Sequence, residues 1–505
     1  MPATRSDMDS PAASQDLDRP KRAYVETYGC QMNVADGELM QGILAARGYE
    51  LVDTPEEADV ILVNTCAIRD HAEQRVLGRV AQLNGLKRER PGLVIGVTGC
   101  MAQRMGETLL DKAPYVDLVM GPDGYRRLPE ALAGIEGARE APSSGTRRAL
   151  PVLGAVLAAP GASIGAPAPA PASAAPEVGP GRGRLAILDF EPHEDYEGLE
   201  IRRGSRVSAW VPIQRGCNYR CTYCIVPYVR GPEKNRDPAR ILDEVRGIAE
   251  QGIPEVVLLG QTVNSYRYGD WDFARLLRAV ARVDGIRRVR FTSPHPNDVT
   301  PGLVEVMAEE PAICKQLHLP LQAGNDRTLK RMLRRYTVAS FLEKVELLRR
   351  SIPSIALSTD IIVAFPGETD EEFEDTLDVL REVRFDDAFL YKYSPRDGTP
   401  ATRLPREQFI PEEVAQARLE RVIELQRSIQ AEINRSEVGK TVEVLVERIA
   451  RSEGDVLGRT DSNKVVAFPG DPSLIGTFAE VRLTATTGAT FIGEPVGSGG
   501  RAQVA

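Results

Sequence analysis

The run Arg215-Gly216-Cys217-Asn218-Tyr219-Arg220-Cys221-Thr222-Tyr223-Cys224 spaces three thiols as C-x3-C-x2-C. Three thiolates on one loop can hold three irons of a [4Fe–4S] cluster and leave the fourth iron open to an external ligand, which makes that iron a place for chemistry. Zinc is the competing reading. Structural zinc prefers paired C-x2-C halves and a closed fourth position, and no fourth ligand stands near this run in sequence. Three further thiols, Cys30, Cys66 and Cys100, follow Thr27-Tyr28-Gly29, Asn64-Thr65 and Thr98-Gly99. They recur about once per βαβ unit, so each is predicted just past the C-terminal end of a different parallel strand, on the rim where open α/β sheets collect ligands. Unrelated buried thiols are the alternative, but the repeated strand-end placement favours a second cluster. Cys314, the seventh cysteine, reads as an ordinary buried thiol.

The elements that must position these residues fall into segments of different texture. After a predicted disordered leader, 1–20, residues 21–136 alternate short apolar runs (23–28, 60–64, 94–98, 116–120) with helical patterns (37–47, 71–89, 101–112), as a doubly wound α/β domain does. Residues 137–190 collapse into Ala, Pro, Gly and Ser and read as a linker or insertion, a spacer without catalytic duty. A second series over 203–434 offers six candidate strands, at 210–214, 256–259, 289–292, 316–319, 358–363 and 388–393. Six βα units predict a partial, open (β/α)6 barrel rather than a closed one of eight. Residues 437–498 turn to short alternating strands with Gly at the turns, the pattern of a small appended β-barrel.

Composition narrows the function less than the cysteines do. At 505 residues the chain needs several cores. Its formal net charge of −9 gives no global case for nucleic acid, so any RNA contact must rest on local patches such as Lys234-Asn235-Arg236 and Lys330-Arg331-Met332-Leu333-Arg334-Arg335-Tyr336, which also read as solvated helix faces. Four histidines leave little room for chemistry built on several imidazoles. No secretory signal and no membrane span is predicted: the longest uncharged stretch, 149–176, is broken repeatedly by proline. The expected compartment is the cytoplasm, where thiols stay reduced and are free for metal.

The motif Thr27-Tyr28-Gly29-Cys30-Gln31-Met32-Asn33, with the C-x3-C-x2-C run and the Ile225-Val226-Pro227-Tyr228-Val229-Arg230-Gly231 that follows it, resembles the methylthiotransferase family of radical S-adenosylmethionine enzymes. Within that family it is most similar to the MiaB-type branch that modifies adenosine in tRNA. Leu258-Leu259-Gly260-Gln261-Thr262-Val263-Asn264-Ser265-Tyr266, Ser293-Pro294-His295-Pro296, His318-Leu319-Pro320-Leu321-Gln322, Ser358-Thr359-Asp360-Ile361-Ile362-Val363, Phe365-Pro366-Gly367-Glu368-Thr369 and Tyr393-Ser394-Pro395 extend the similarity, which runs from residue 23 to residue 496 around the Ala/Pro-rich insertion. One departure is Gln322-Ala323-Gly324-Asn325, where similar proteins usually carry Gln-Ser-Gly-Ser, so the hydrogen bonds of two hydroxyls are lost there.

The resemblance implies two [4Fe–4S] clusters, an auxiliary one on Cys30, Cys66 and Cys100 and a radical-generating one on Cys217, Cys221 and Cys224, whose open iron is chelated by S-adenosylmethionine. It implies a C-terminal TRAM-like domain that grips RNA. The implied reaction converts N6-isopentenyladenosine next to the anticodon to its 2-methylthio derivative, with S-adenosylmethionine as both radical source and methyl donor. The sulfur comes either from the cluster or from outside. The implied partners are tRNA and an electron donor such as flavodoxin or ferredoxin. Gln261, Ser293, Gln322 and Asp360, each at or near a predicted strand end on the barrel rim, are expected to contact cofactor or base, and a purely structural hydrogen bond is the alternative for each. Other acceptors to be weighed are a ribosomal protein and a threonylcarbamoyl-adenosine in tRNA. A non-catalytic iron–sulfur protein for RNA binding or electron transfer is disfavoured, because clusters of that kind have every iron ligated by protein.

Overall fold

The computed structural model describes residues 19–67, 70–140 and 183–496, and the chain forms two units, Met1–Glu191 with Tyr196–Arg202, and Pro192–Asp195 with Arg203–Ala505. The predicted leader, apart from Arg19 and Pro20, and residues 141–182 of the predicted linker lie outside the described residues.

In the first unit, β1 (Arg22–Tyr28), β2 (Glu50–Leu51), β3 (Val60–Thr65), β4 (Val94–Gly99), β5 (Leu118–Met120) and β6 (Leu185–Ile187) form one sheet in the order β2-β1-β3-β4-β5-β6, parallel throughout. Helices α1 (Gln31–Ala46), α2 (Asp70–Leu83), α3 (Cys100–Met105), α4 (Thr108–Lys112) and α5 (Leu128–Glu140) complete it. Strands buried on both faces read as continuous apolar runs. Accordingly Val60 and Leu62 of β3 join one core with Leu39, Met40 and Leu132, while Ile61 and Val63 join the other with Val76, Val80 and Val116. This is the expected doubly wound arrangement. Both ends of the predicted 137–190 linker depart from a spacer: α5 runs on to Glu140, and Leu185-Ala186-Ile187 returns to the sheet as β6. Gly- and Pro-rich flanks hide that strand, whose stability comes from pairing with β5 and burial of Leu185 and Ile187 rather than from local propensity.

In the second unit, β7 (Ser208–Pro212), β8 (Glu255–Leu259) and β9 (Arg288–Phe291) pair in parallel, as do β10 (Gln316–His318), β11 (Ala356–Val363) and β12 (Asp387–Lys392). A parallel bridge from Val289 to Ile313 joins the two halves. The strands therefore run in chain order, with α6 (Pro238–Glu250), α7 (Phe273–Ala281), α8 (Pro301–Glu309), α9 (Val338–Ser351) and α10 (Asp370–Val383) between them. Among the described residues no pairing closes β7 onto β12, so the barrel is open on one side as expected. Caps fix the helix starts: the Asp237 carboxylate accepts from Ala239 N beside Pro238, and Thr369 and Glu372 form a capping box on α10. Along β11, Leu357, Ile361 and Val363 enter the apolar core, which leaves Ser358, Asp360 and Ile362 on the opposite face.

Helix α11 (Glu412–Glu437) leads to β13 (Thr441–Ile449), β14 (Asp455–Arg459), β15 (Val465–Pro469), β16 (Phe478–Thr486) and β17 (Thr490–Pro495), a closed barrel in the order β13-β14-β15-β17-β16. Phe468 and Phe491 are core residues with Val444, Val466 and Leu483, whereas Phe478 lies under the Arg287 guanidinium at 3.7 Å. Two buried arginines tie this small barrel to the bottom of the large one. Arg288 donates to the Arg459 carbonyl (2.7 Å), and Arg290 to the carbonyls of Thr460 (2.6 Å) and Asp461 (3.0 Å) while pairing with buried Glu255 at 2.9 Å. Removing one partner of a buried pair strands the other charge, at about 3–5 kcal/mol. Glu255→Ala should therefore lower unfolding stability by about that much in denaturant titration, and an effect under about 1 kcal/mol would show that Arg290 is solvated. No helix among the described residues is long and apolar enough to cross a membrane.

Candidate metal centres and cofactor site

The first three cysteines sit on one rim because of strand register. Tyr28 pairs with Thr65, and Thr65 with Gly99, so Cys66 and Cys100 leave β3 and β4 at the same level. Cys30 leaves β1 one residue later, after Gly29. At φ 141°, and with room for no Cβ (one would come within 2.5 Å of the Cys66 Cβ), Gly29 brings the end of β1 directly against Cys66. Asn33, fully buried in the first turn of α1, locks the rim: its Nδ2 donates to Asn64 Oδ1 (3.2 Å) and the Thr65 carbonyl (3.1 Å), and Asn64 Nδ2 donates back to the Asn33 carbonyl (2.7 Å). Thr65 Oγ1 donates to the Thr98 carbonyl at 2.8 Å, which fastens the third strand end. Cys30 caps α1 and Cys100 opens α3, and backbone N–H groups at a helix start favour a thiolate.

The second three cysteines lie on the loop after β7. Gly216 opens it at φ 74°, where a Cβ would come within 2.0 Å of the Pro232 carbonyl, so only glycine fits. Cys217 N donates to the Gly231 carbonyl (3.2 Å) and Cys224 N to the Cys221 carbonyl (3.0 Å). The middle of the loop is held by Thr222, whose N donates to the Met332 carbonyl (3.0 Å) and whose Oγ1 donates to the Arg331 carbonyl (2.9 Å). Burial pushes the Cys224 thiol up to about 12 and raises Cys217 as well, so both stay protonated at neutral pH until a metal takes the proton's place. Among the described residues no three His, Cys, Asp or Glu side chains converge on a single point suited to one ion. A four-iron cluster takes one thiolate per iron, so its ligands need not converge in that way.

The four other candidates fall into two pairs. Gln261, Ser293 and Gln322 follow the ends of β8, β9 and β10, whereas Asp360, expected near a strand end, lies within β11. Gln261 precedes Thr262, whose hydroxyl is 3.9 Å from Cys217 Sγ. Its loop is stitched to the Ser293 loop by Asn264, which accepts from His295 N (2.7 Å) and donates to the His295 carbonyl (2.9 Å). Gln322 and Asp360 are neighbours through Gln322 N donating to the Asp360 carbonyl at 2.8 Å. Ser293 and Gln322 adopt left-handed backbone, φ 55° and 71°, a conformation that costs a non-glycine residue about 1–3 kcal/mol and clusters at ligand sites. Gln261 Oε1, Gln322 Oε1 and His295 Nε2 are buried without a protein partner. His295 is pushed down to about 2 by burial and then by the charges of Arg334 and Arg335, so it stays neutral. Its Nδ1 accepts from Asn297 N, which leaves the proton on Nε2 as a buried, unused donor. The ring stacks at 3.8 Å on Tyr219, inside the cysteine loop. Orphaned donors and acceptors beside the thiols fit a polar ligand such as the methionyl and nucleoside groups of S-adenosylmethionine.

Two arrangements are not visible in the sequence. His318 lies between Ser358 Oγ (3.1 Å from Nδ1) and Asp360 Oδ2 (3.3 Å from Nε2), with Phe389 edge-on to its ring at 5.7 Å. The parallel register His318↔Ser358 and Asp360↔Phe389 assembles this group from β10, β11 and β12; both motifs are legible, but the pairing between them is not. In the second arrangement, three arginines of the basic runs are taken up by the fold. Arg236 donates to the Pro212 carbonyl (2.6 Å) and pairs with Glu244 (2.8 Å), Arg331 binds the Gly367 carbonyl (2.8 Å) and Gln408 (2.6 Å), and Arg334 is buried against Cys221. Within the 330–336 run only Lys330, Leu333 and Arg335 are exposed.

Comparison with known proteins agrees with the three-part architecture. The family model described as Uncharacterized protein family UPF0004 matches residues 22–121, the Radical SAM superfamily model 211–380 and the TRAM domain model 435–496. A solved structure titled as the radical S-adenosylmethionine methyltransferase TsrM from Kitasatospora setae, with cobalamin and a [4Fe-4S] cluster bound, shares the fold with a TM-score of 0.54 at 15% identity, over 76% of this chain and 77% of that one. Curated relatives named tRNA-2-methylthio-N(6)-dimethylallyladenosine synthase are far more similar. Those from Chlorobium limicola and Phocaeicola vulgatus are 41% and 42% identical, each over 94% of this chain and over 97% and 96% of their own lengths. With that identity along nearly its whole length, the chain belongs to the family of tRNA-2-methylthio-N(6)-dimethylallyladenosine synthases.

Proposed function

We propose that the chain adds a methylthio group to C2 of N6-isopentenyladenosine beside the anticodon of tRNA, with S-adenosylmethionine as both radical source and methyl donor. Two separate cysteine triads in one chain, each on a strand-end rim, are the observation that carries this reading. Cys217, Cys221 and Cys224 hold the radical cluster, and Cys30, Cys66 and Cys100 hold the auxiliary one. When bound, the cofactors supply the radical that removes hydrogen from the base and the methylated sulfur that replaces it. The chain's own residues orient and exclude. Gln261, Ser293, Gln322 and His295 present polar atoms to the methionyl and nucleoside groups beside the cysteine loop. Asp360 fixes His318, and the exposed rings of Phe389 and Tyr391, on the same face of β12 at the barrel's open side, offer stacking surfaces to a base. A base must leave its stack to reach such a site, which suits an anticodon loop. The small C-terminal barrel grips the RNA. A flavodoxin or ferredoxin in the cytoplasm supplies the electron. Mass spectrometry of tRNA nucleosides from cells lacking the gene should show isopentenyladenosine in place of its 2-methylthio form; an unchanged 2-methylthio signal would contradict the proposal.

A further inference from the structure

We infer that Arg334 is the counter-charge of the barrel's iron–sulfur centre and holds its reduction potential up. The inference rests on the reading that Cys217, Cys221 and Cys224 hold that centre.

Arg334 is 9% exposed, and its Nη1 is 3.4 Å from Cys221 Sγ. Its Nε donates to the Tyr336 hydroxyl (3.0 Å), its Nη2 approaches the Pro320 carbonyl (3.4 Å), and the guanidinium lies 5.1 Å from the centre of the Tyr336 ring. The Tyr336 hydroxyl in turn reaches the carbonyls of Pro320 (2.9 Å) and Leu321 (2.8 Å). The turn that brings Arg334 inward is strained: Leu333, 47% exposed, sits at φ 55°, and Arg334 N donates to the Leu329 carbonyl at 2.9 Å. That turn and four side-chain contacts, to Cys221, the Pro320 carbonyl, and the hydroxyl and ring of Tyr336, hold the guanidinium in place.

Among the described residues no carboxylate pairs with Arg334. Two other buried arginines of this unit each have one: Arg290 pairs with Glu255 at 2.9 Å and Arg418 with Glu368 at 2.7 Å. Arg334, comparably buried, faces neutral oxygens and one sulfur among the described residues. A guanidinium does not lose its proton in a protein, and a buried cation is costly unless an anion faces it. Among the described residues in contact with Arg334, Cys221, as a thiolate on an iron–sulfur centre, is the group that supplies that anion.

The consequence is electrochemical. The step affected is a one-electron reduction: one electron leaves a flavin or iron–sulfur donor, which is oxidised, and enters the cluster, with no bond made or broken and no proton moved. The added negative charge is stabilised by a fixed cation at contact distance in a poorly solvated site. Hydrogen bonds to cluster sulfurs act in the same direction. Arg334 thus favours the reduced state over the oxidised one and makes the electron easier to deliver.

The test is an anaerobic potentiometric titration, followed by electron paramagnetic resonance, of the reconstituted full chain carrying C30A, C66A and C100A, in which only the barrel centre remains. Iron content and the spectrum before titration show first whether a cluster sits on Cys217, Cys221 and Cys224; its absence there would overturn the site assignment itself. With the cluster present, Arg334→Met and Arg334→Gln should shift the midpoint to lower potential. At the potential that half-reduces the parent, the ratio of reduced to oxidised centre should fall by about tenfold or more, equivalent to about 59 mV for one electron. Arg334→Lys, which keeps the charge, should restore most of that shift. Loss of iron in the neutral variants but not in Arg334→Lys also supports a counter-charge. An unchanged midpoint with iron retained would overturn the inference, as would impaired S-adenosylmethionine binding at an unchanged midpoint, or loss of iron in Arg334→Lys as well.

Discussion

Replacing Cys30, Cys66 and Cys100 together with alanine should abolish methylthio-adenosine formation while leaving reductive cleavage of S-adenosylmethionine to 5′-deoxyadenosine intact. The two halves of that outcome follow from separate sites. The three cysteines end β1, β3 and β4 of the first unit, whereas the other triad belongs to the loop after β7 in the second. Putting sulfur on an unactivated aromatic carbon requires both removal of a hydrogen and delivery of a methylated sulfur, and one open iron occupied by its sulfonium ligand serves only the first. Product should fall by at least about a hundredfold, about 2.7 kcal/mol of transition-state stabilisation. Quantifying 5′-deoxyadenosine and methylthio-adenosine in the same anaerobic single-turnover reaction separates the two functions. Methylthio product from this variant would show that the first unit does not deliver the sulfur.

The converse replacement, of Cys217, Cys221 and Cys224, should eliminate both products, because the cluster proposed on this triad is the one that delivers the electron to the sulfonium. The iron should report the same division. The parent should bind about eight irons after reconstitution if each triad holds four, and the variant about half of that. Gly216, pressed against the Pro232 carbonyl, and Thr222, bound to the carbonyls of Arg331 and Met332, hold the loop without help from the thiols. The variant should therefore stay folded, and far-ultraviolet circular dichroism checks that. Loss of all iron would mean that the two triads share one cluster.

Much of this is legible in the sequence because the chemistry is tied to strand ends. Cys30, Cys66 and Cys100 each follow the end of a strand, half-buried before Cys30 and fully buried before the other two, so period and position place them on one rim. Six strands in chain order, and hence the open barrel, follow from the same alternation. Long-range pairing is less legible. α1 starts at Gln31 rather than near Gly37, because Asn33 is drawn into the sheet rim by Asn64 and Thr65, partners about one βαβ unit away in the chain. Leu185-Ala186-Ile187 becomes a strand only because β5 offers an edge. The Ser358–His318–Asp360 group depends on the register of β10 against β11. Arg334 is hidden most deeply. In Lys330-Arg331-Met332-Leu333-Arg334-Arg335-Tyr336 it looks like one cation among four, and only the left-handed turn at Leu333 sends it inward while Arg335 stays in solvent.

The most direct test of the account is an anaerobic reaction of the reconstituted chain with S-adenosylmethionine, a low-potential one-electron reductant and two tRNA substrates, one carrying N6-isopentenyladenosine beside the anticodon and one carrying unmodified adenosine there. Nucleosides are then resolved by mass spectrometry. The account predicts the 2-methylthio derivative of isopentenyladenosine, formed together with 5′-deoxyadenosine and dependent on both cysteine triads. Reductive cleavage of S-adenosylmethionine without methylthiolation of either tRNA, in a preparation with both clusters loaded, would contradict it.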